Sequence, residues 1–419
     1  MADMSNLCFY CMTRGLSSDH VCANCGTEES YVWAAHHHLR PKTVLNGKYT
    51  VGRVIGEGGF GITYVGWDIA RESKVAVKEY FPGGFVSRDA TTSSIVHSFS
   101  GERGEFYAEG KERFIEEAQK LARFFGLPGI VSVHDFFNEN STAYIVMEFL
   151  EGATMKAILE SMGGKMHESH VLAMVKPLIL SLAEMHKQGV IHRDIAPDNI
   201  MVLPDGTVKL LDFGAARDLS TDGKSSAAIM KHGYAPEEQY DTNRTRQGTW
   251  TDVYALCATI FRAIEGHTPP DAIARLRKDE FGGITAPVSD NTRFAISKGL
   301  ALQPENRWKD MVQLAHALYQ TAEERVQKPK PKPVQAVYGS SPHQSVGGRN
   351  SPQRGANDVI GEIVLKTASW AKSMSVWMPG TFNTVRLKVK IYANKKEFWI
   401  GVACFGLFVF VVTLLVLFI

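Results

Sequence analysis

A lysine ends an otherwise apolar strand-like run, Val75-Ala-Val-Lys78. An ammonium group in such a place needs a partner, because burying an unpaired charge is costly. Seventeen residues before Lys78 a glycine cluster ends, Gly56-Glu57-Gly58-Gly59-Phe60-Gly61, set between two strand-like runs. A lone G-x-G-x-x-G is weak evidence, since it also opens dinucleotide-binding folds, where it leads into a helix. Here Ile62-Thr63-Tyr64-Val65-Gly66-Trp67 follows, which reads as strand. A plain tight hairpin and a flap over nucleotide phosphates both fit that text. Glycine serves the second because it lets the backbone come close to a ligand and adopt positive φ. Residues 110–125 show helical spacing, with Phe114, Ala118, Leu121, Ala122 and Phe125 on one face. Glu117, on the same helix, is a candidate partner for Lys78.

The chain around these features has 419 residues, of which 44% are hydrophobic and 21% charged. That composition supports a sizeable core and excludes global disorder. Such a length predicts two or three structural units. Residues 49–64, 73–79, 130–137 and 142–149 read as strands, and helical patterns dominate 155–324, as in 171–188, 252–264 and 311–324.

Two further motifs follow: His192-Arg193-Asp194-Ile-Ala196-Pro-Asp198-Asn199 and Asp212-Phe-Gly214. With these the sequence resembles the eukaryotic-like protein kinases, and the motifs stand in that family's order over residues 45–324. The resemblance implies a two-lobed α+β fold, with a small antiparallel-sheet lobe and a larger helical lobe. It implies ATP and Mg²⁺ (or Mn²⁺) as cofactors and protein hydroxyls as acceptors. Lys78 would hold the α- and β-phosphates, with Glu117, rather than the adjacent Glu116, fixing its position. Asp194 would accept or orient the proton of the attacking hydroxyl, and Asn199 and Asp212 would bind Mg²⁺. Ile55, Gly56, Glu57, Gly58, Gly59, Phe60, Gly61 and Thr63 would cover the nucleotide. In the hinge-like strand Tyr144-Ile-Val-Met147-Glu148-Phe-Leu150, backbone groups near Glu148 and Leu150 would meet the adenine edge. Met147 would limit the pocket behind it, and Ala76 and Val65 would sandwich the ring. Asp252 resembles the residue that holds the catalytic loop, and Glu238 and Arg307 resemble a buried pair. For these last three, structural roles suffice.

Some positions depart from the family. Ala196 stands where serine/threonine members commonly have lysine, and Lys231 stands where the threonine that pairs with that lysine is usual. The expectation is that Lys231 reaches back and restores the cation near the γ-phosphate. Gly233-Tyr-Ala-Pro-Glu-Glu-Gln-Tyr240 and a long link after Lys78 resemble a bacterial branch. Arg193 predicts a pairing with a phosphate on the activation segment, where Ser220, Thr221, Ser225 and Ser226 lie. A nucleotide-binding pseudokinase scaffold, for which Ala196 and Lys231 speak, and a small-molecule kinase of the same fold are the competing readings.

Cys8-x₂-Cys11 and Cys22-x₂-Cys25, ten residues apart, have the count and spacing of a closed tetrahedral zinc site. A redox dithiol competes with it, but two matched pairs favour structural zinc in a ribbon over residues 1–30. With only Arg14 and His20 basic or near-basic between the pairs, nucleic acid is not the expected partner. Residues 31–44 read as a linker. Within it His36-His37-His38 suggests a further metal site or, on the commoner reading, solvated chain.

The formal charge of +2 hides three parts. Residues 327–397 carry twelve Lys and Arg against Asp358, Glu362 and Glu397, a net +9; residues 398–419 carry no charge, which leaves −7 on 1–326. Lys328-Pro-Lys-Pro-Lys-Pro333 predicts extended polyproline-like chain, and 339–355 predicts disorder. Residues 358–378 fit either an amphipathic helix on a membrane or one packed on the body. The uncharged end, Phe398 to Ile419, has the length of a bilayer-spanning helix. Lys395 and Lys396 before it orient the body toward the cytoplasm. No basic-then-apolar leader opens the chain. The expected arrangement is therefore a ribbon (1–30), a linker (31–44), a kinase-like domain (45–324), a basic juxtamembrane stalk (325–397) and a C-terminal single-pass anchor in the cell membrane (398–419). The stalk would be drawn to anionic lipid. An oligomer is compatible with all of this.

Overall fold

The glycine cluster folds as the sequence text predicts, as the turn of a hairpin. β4 (Tyr49–Gly58) meets β5 (Gly61–Asp68) antiparallel, and Gly58 pairs with Gly61 at the tip. The computed structural model describes residues 6–28, 33, 35–212, 231–241 and 244–319. Two short strands, β1 (Leu7–Cys8) and β2 (Thr13–Arg14), precede β3 (Val44–Leu45). After β5 come β6 (Ser73–Tyr80), a small hairpin of β7 (Val86–Ser87) and β8 (His97–Ser98), β9 (Val133–Glu139) and β10 (Thr142–Glu148). The main sheet runs β3-β4-β5-β6-β10-β9, antiparallel throughout. Lys78 sits on β6 between Thr63 and Ile145 in register, so the lysine is carried by a central strand.

Helix α1 (Glu102–Ala122) packs on this sheet and buries Tyr107, Gly110, Phe114, Ala118 and Leu121. It starts eight residues before the apolar spacing begins. Its first two turns mix Glu102, Arg103, Glu105 and Glu109 with the core-packed Phe106 and Tyr107, and Glu102 and Glu105 lie at its positive N-terminal end. Phe125, expected on the buried face, lies past the helix end and is 67% exposed. The long link after Lys78 is folded onto the sheet. Arg88 makes an ion pair with the fully buried Glu79, whose carboxylate also accepts hydrogen bonds from Tyr64 and Tyr144, each at 2.9 Å.

The other lobe is mainly helical. It holds β11 (Ala153–Thr154), α2 (Met155–Ser161), α3 (Glu168–Lys187), β12 (Ile200–Val202), β13 (Val208–Leu210), α4 (Thr249–Glu265), α5 (Ala272–Arg277), α6 (Asp290–Gly299) and α7 (Met311–Tyr319). Thr154 and Ser289 cap α2 and α6, and Gly266 at φ 88° ends α4. Helix α4 is buried along most of its length, and α3, α6 and α7 pack around it.

Part of the segment read as a linker is packed on the sheet. His38 is 6% and Leu39 1% exposed, and Leu39 donates its N–H to the Tyr64 hydroxyl at 3.1 Å. The cysteine-bearing segment is likewise built onto the sheet. Leu7, Phe9 and Met12 form a cluster with Val65 and Trp67 of β5. The Arg53 side chain donates to the Tyr10 carbonyl at 2.9 Å and lies over the Tyr10 ring. Among the described residues no helix is long and apolar enough to cross a membrane. The basic stalk and the 398–419 run lie outside the described residues.

Gly52 is the close-approach point of this docking, because a Cβ there would stand 2.1 Å from the Phe9 carbonyl oxygen. Gly52→Ala is expected to destabilise the protein by about 1–3 kcal/mol through overpacking. Gly282→Ala, where a Cβ meets nothing within 4 Å, should stay within about 0.5 kcal/mol. Denaturant unfolding of both variants, followed by Trp fluorescence, checks this.

Candidate active site

The catalytic-loop backbone takes its shape from one carboxylate. Asp252, fully buried on α4, accepts the N–H groups of His192 and Arg193, each at 2.7 Å, and also contacts His186 Nε2 at 2.9 Å. Burial alone would raise its pKa, but His186 and the loop N–H groups hold it below the ordinary aspartate value. Arg193 has φ 69°, a left-handed conformation that an arginine adopts only when held. The hold is double, since Gln239 donates to the Arg193 carbonyl at 2.8 Å. The His192 ring spans the loop, accepting from Asp194 N–H at 3.2 Å and donating to the Leu211 carbonyl at 2.9 Å.

These constraints present Asp194. Its Oδ2 accepts from the Asn199 amide at 2.6 Å, and its Oδ1 lies 3.2 Å from Lys231 Nζ. Lys231 also reaches Asp198 at 3.0 Å, so the cation absent at Ala196 stands beside Asp194 from another segment. Lys78 makes an ion pair with Asp212 at 2.5 Å. Burial disfavours the Lys78 ammonium, but Asp212 and then Glu117 override it and raise its pKa. Burial likewise works against the Asp212 carboxylate, and Lys78 holds it below the usual range. Glu117 is half-buried on α1 while Glu116 is exposed, and it is Glu117 whose charge acts on Lys78. The carboxylate of Asp212 and the amide oxygen of Asn199 are hard donors suited to Mg²⁺.

The glycine loop divides by function. A Cβ at Gly61 would stand 2.4 Å from the Glu79 carbonyl oxygen, whereas one at Gly56, Gly58 or Gly59 would meet nothing within 4 Å. Packing thus demands Gly61, and the other three leave open backbone at the loop. Ile55 is 38% exposed, and Phe60 and Thr63 are half-buried. Met147 is paired with Ala76 across β10 and β6. The Glu148 N–H donates to the Ser132 carbonyl at 3.0 Å, so of its two backbone groups the N–H is already engaged. Its side chain pairs with Lys209, a contact the sequence did not signal. Leu150 is half-buried beside this strand. Val65, expected against an adenine ring, is 1% exposed and covered by the cysteine-bearing segment. Glu238 and Arg307 form a fully buried two-pronged ion pair at 2.7 and 3.0 Å. Phe213, Gly214, Ser220, Thr221, Ser225 and Ser226 lie outside the described residues.

The four N-terminal cysteines converge. Cys8, Cys11, Cys22 and Cys25 place their sulfurs within 4.8 Å of one another. The Cys8–Cys25 and Cys11–Cys22 sulfurs are each 3.8 Å apart, too far for disulfides. A tetrahedron with Zn–S bonds of about 2.3 Å has edges of about 3.8 Å. Two tight turns set this geometry, with Met12 N–H donating to Cys8 O and Gly26 N–H to Cys22 O, both at 2.8 Å.

The protein kinase domain family matches residues 49–281. The serine/threonine-protein kinase PrkC of Bacillus subtilis is 31% identical over 230 residues, covering 54% of this chain and 32% of PrkC. PknL of Mycobacterium tuberculosis is 28% identical over 293 residues, 67% of each chain. The chain thus spans about a third of PrkC and two-thirds of PknL. Among solved structures, the PpkA-294 apo form matches with a TM-score of 0.61 and 32% identity, over 67% of this chain and 99% of that one. The PknI kinase domain of Mycobacterium tuberculosis, at 0.50 and 23%, shares the fold.

Removing one partner of the Glu238–Arg307 pair leaves a buried charge alone. Arg307→Met should therefore cost about 3–5 kcal/mol, and Arg307→Met combined with Glu238→Gln distinctly less than Arg307→Met alone. Urea denaturation of the two variants measures the difference.

Proposed function

Since the chain belongs to the protein kinase family and its central domain is an ATP-dependent serine/threonine kinase, we propose that the whole protein is a membrane-tethered, zinc-stapled signalling kinase. It transfers the γ-phosphate of ATP to serine or threonine hydroxyls of proteins, its own activation segment among them. The observation that carries this reading is that Lys78 pairs with Asp212 and also feels the charge of Asp194, which is itself held by Asn199 and lies 3.2 Å from Lys231.

Each residue has a physical task. The glycine loop closes over the phosphates, and Lys78 places a point charge on them. Asn199 and Asp212 would hold Mg²⁺, whose charge would offset that developing on the transferred group. Asp194, its two oxygens fixed by Asn199 and Lys231, takes the proton from the attacking hydroxyl. Lys231 supplies the positive charge that the family commonly places two residues after the catalytic aspartate. The four cysteines hold a structural zinc that completes the N-terminal ribbon. Residues 398–419 anchor the chain in the membrane, with the +9 stalk against the anionic cytoplasmic leaflet.

Incubating the purified protein with γ-labelled ATP and Mg²⁺ should label a protein acceptor, and Asp194→Ala or Asp212→Asn should abolish it. A folded wild type that transfers no label favours the pseudokinase scaffold. Lys231→Ala is expected to lower kcat about 10²–10³-fold, the usual loss on removing one charge-stabilising group. Ala196→Lys with Lys231→Thr should recover part of it. Full turnover in Lys231→Ala would refute the role given to that residue. Metal analysis should find zinc in the wild type, and less by one equivalent in Cys8→Ser/Cys11→Ser.

A further inference from the structure

His37, His38 and Glu57 form a second cluster that the kinase mechanism does not use. His37 Nε2 lies 2.9 Å from Glu57 Oε1, and His38 Nε2 lies 2.9 Å from Glu57 Oε2. Their ligand atoms all fall within 4.8 Å of one another. The histidines belong to the segment leaving the cysteine-bearing turns, and Glu57 belongs to the glycine loop. We propose that His37, His38 and Glu57 form a divalent-metal site of the zinc class, which ties the glycine loop to the N-terminal segment when occupied.

The chemistry of the donors fits. Imidazole and carboxylate together suit zinc and its neighbours in the transition series. Each nitrogen faces a different oxygen of one carboxylate, and one oxygen with the two nitrogens makes three donor atoms for an ion. Bonds of about 2.0–2.2 Å in a tetrahedral site separate ligand atoms by about 3.3–3.6 Å, so about 0.4–0.7 Å must open at a 2.9 Å contact. Three protein ligands leave a position for water, unlike the closed four-cysteine site. Access is available, because the side chains of His37 and Glu57 are 38% and 45% exposed, while that of His38 is 8% exposed.

The histidines are also held in place. The His36 carbonyl accepts from Ala90 N–H at 2.8 Å, the His37 carbonyl from Arg88 Nε at 2.9 Å, and the His38 carbonyl from Trp33 Nε1 at 3.0 Å. His37 stacks on Phe81 with ring centroids 5.8 Å apart. Arg88 is in turn fixed by the buried Glu79. Two ligands therefore stand on a rigid support, and the third comes from the loop that closes over the nucleotide. Such a site makes the position of the loop depend on metal.

Cobalt titration of the detergent-solubilised full chain tests this. Cobalt at the four cysteines gives sulfur-to-metal charge-transfer absorption, and cobalt at two histidines and a carboxylate gives visible bands without it, so the two sites are counted separately. The expected result is a sulfur-free equivalent in wild type that His37→Ala and Glu57→Gln each weaken at least about tenfold. The cysteine equivalent should be unchanged in both. Hydrogen exchange at residues 56–61 should slow when cobalt fills the sulfur-free site, in wild type and not in His37→Ala. A wild type that shows no sulfur-free equivalent, or variants that keep it at full strength, would overturn the proposal and leave a hydrogen-bonded histidine clip.

Discussion

The buried carboxylate of Asp252 is the fixed point of the active site. A charge with no exposed surface is tolerated only when its oxygens are fully hydrogen-bonded. Asp252 meets that demand with two consecutive backbone N–H groups and an imidazole. Satisfying the carboxylate therefore forces the loop to present His192 and Arg193 in one geometry, with Arg193 strained at φ 69°. The strain is borne by the helical lobe, since Asp252 lies on a helix surrounded by three others. Asp194 inherits its position from this arrangement. The desolvation that makes Asp252 costly to bury is thus what fixes the group that handles the substrate proton.

The sheet lobe is organised around Glu79, the neighbour of Lys78 on the same strand. Alternation sends the two side chains to opposite faces. Lys78 faces Asp212, and Glu79 faces Arg88, Tyr64 and Tyr144. Arg88 and Tyr64 then hold the segment around His37, through the His37 carbonyl and the Leu39 N–H. The insertion after Lys78 is accordingly part of the lobe's support. The cysteine-bearing turns add a further layer through Phe9, Met12 and Val65. The N-terminal segment and the nucleotide cleft share strand β5, so docking of one bears directly on the shape of the other.

The motifs that do chemistry were legible in the sequence because phosphoryl transfer restricts residue type at each position. Lys78, Asp194, Asn199 and Asp212 stood out through the resemblance, and the fold sets Lys78 against Asp212 and Asn199 against Asp194. Glu117 over Glu116 was legible only through the family resemblance, which places the acid directly before Ala118. Contacts made between side chains distant in sequence carried no such signal. His37 and His38 stood out as a run, but nothing marked Glu57, some twenty residues on, as their partner. Residues 31–44 read as linker because the segment has no periodicity; around His37 and Leu39 it is held by hydrogen bonds from its backbone to the Tyr64 and Arg88 side chains, which patterning does not report. Val65 was misplaced for a related reason. Its strand and face were readable, but the cover over it comes from residues 7–12.

The location of the cation beside Asp194 has a consequence for control. A lysine two residues after the aspartate would travel with the catalytic loop and be present whenever the loop is formed. Lys231 comes from the far side of the activation segment, and its backbone is placed by separate contacts. The N–H groups of Tyr234 and Ala235 both donate to the Lys231 carbonyl at 3.0 Å, closing a turn around Gly233. Gly233 has φ 82°, and a Cβ there would stand 2.9 Å from the Pro269 carbonyl oxygen, so the turn sits tightly against the chain before α5. The position of the cation beside Asp194 is thus set by this turn and by its contact with the chain before α5. Removing it from the loop, at Ala196, converts a fixed part of the active site into one whose presence depends on the fold of the segment that ends the activation region.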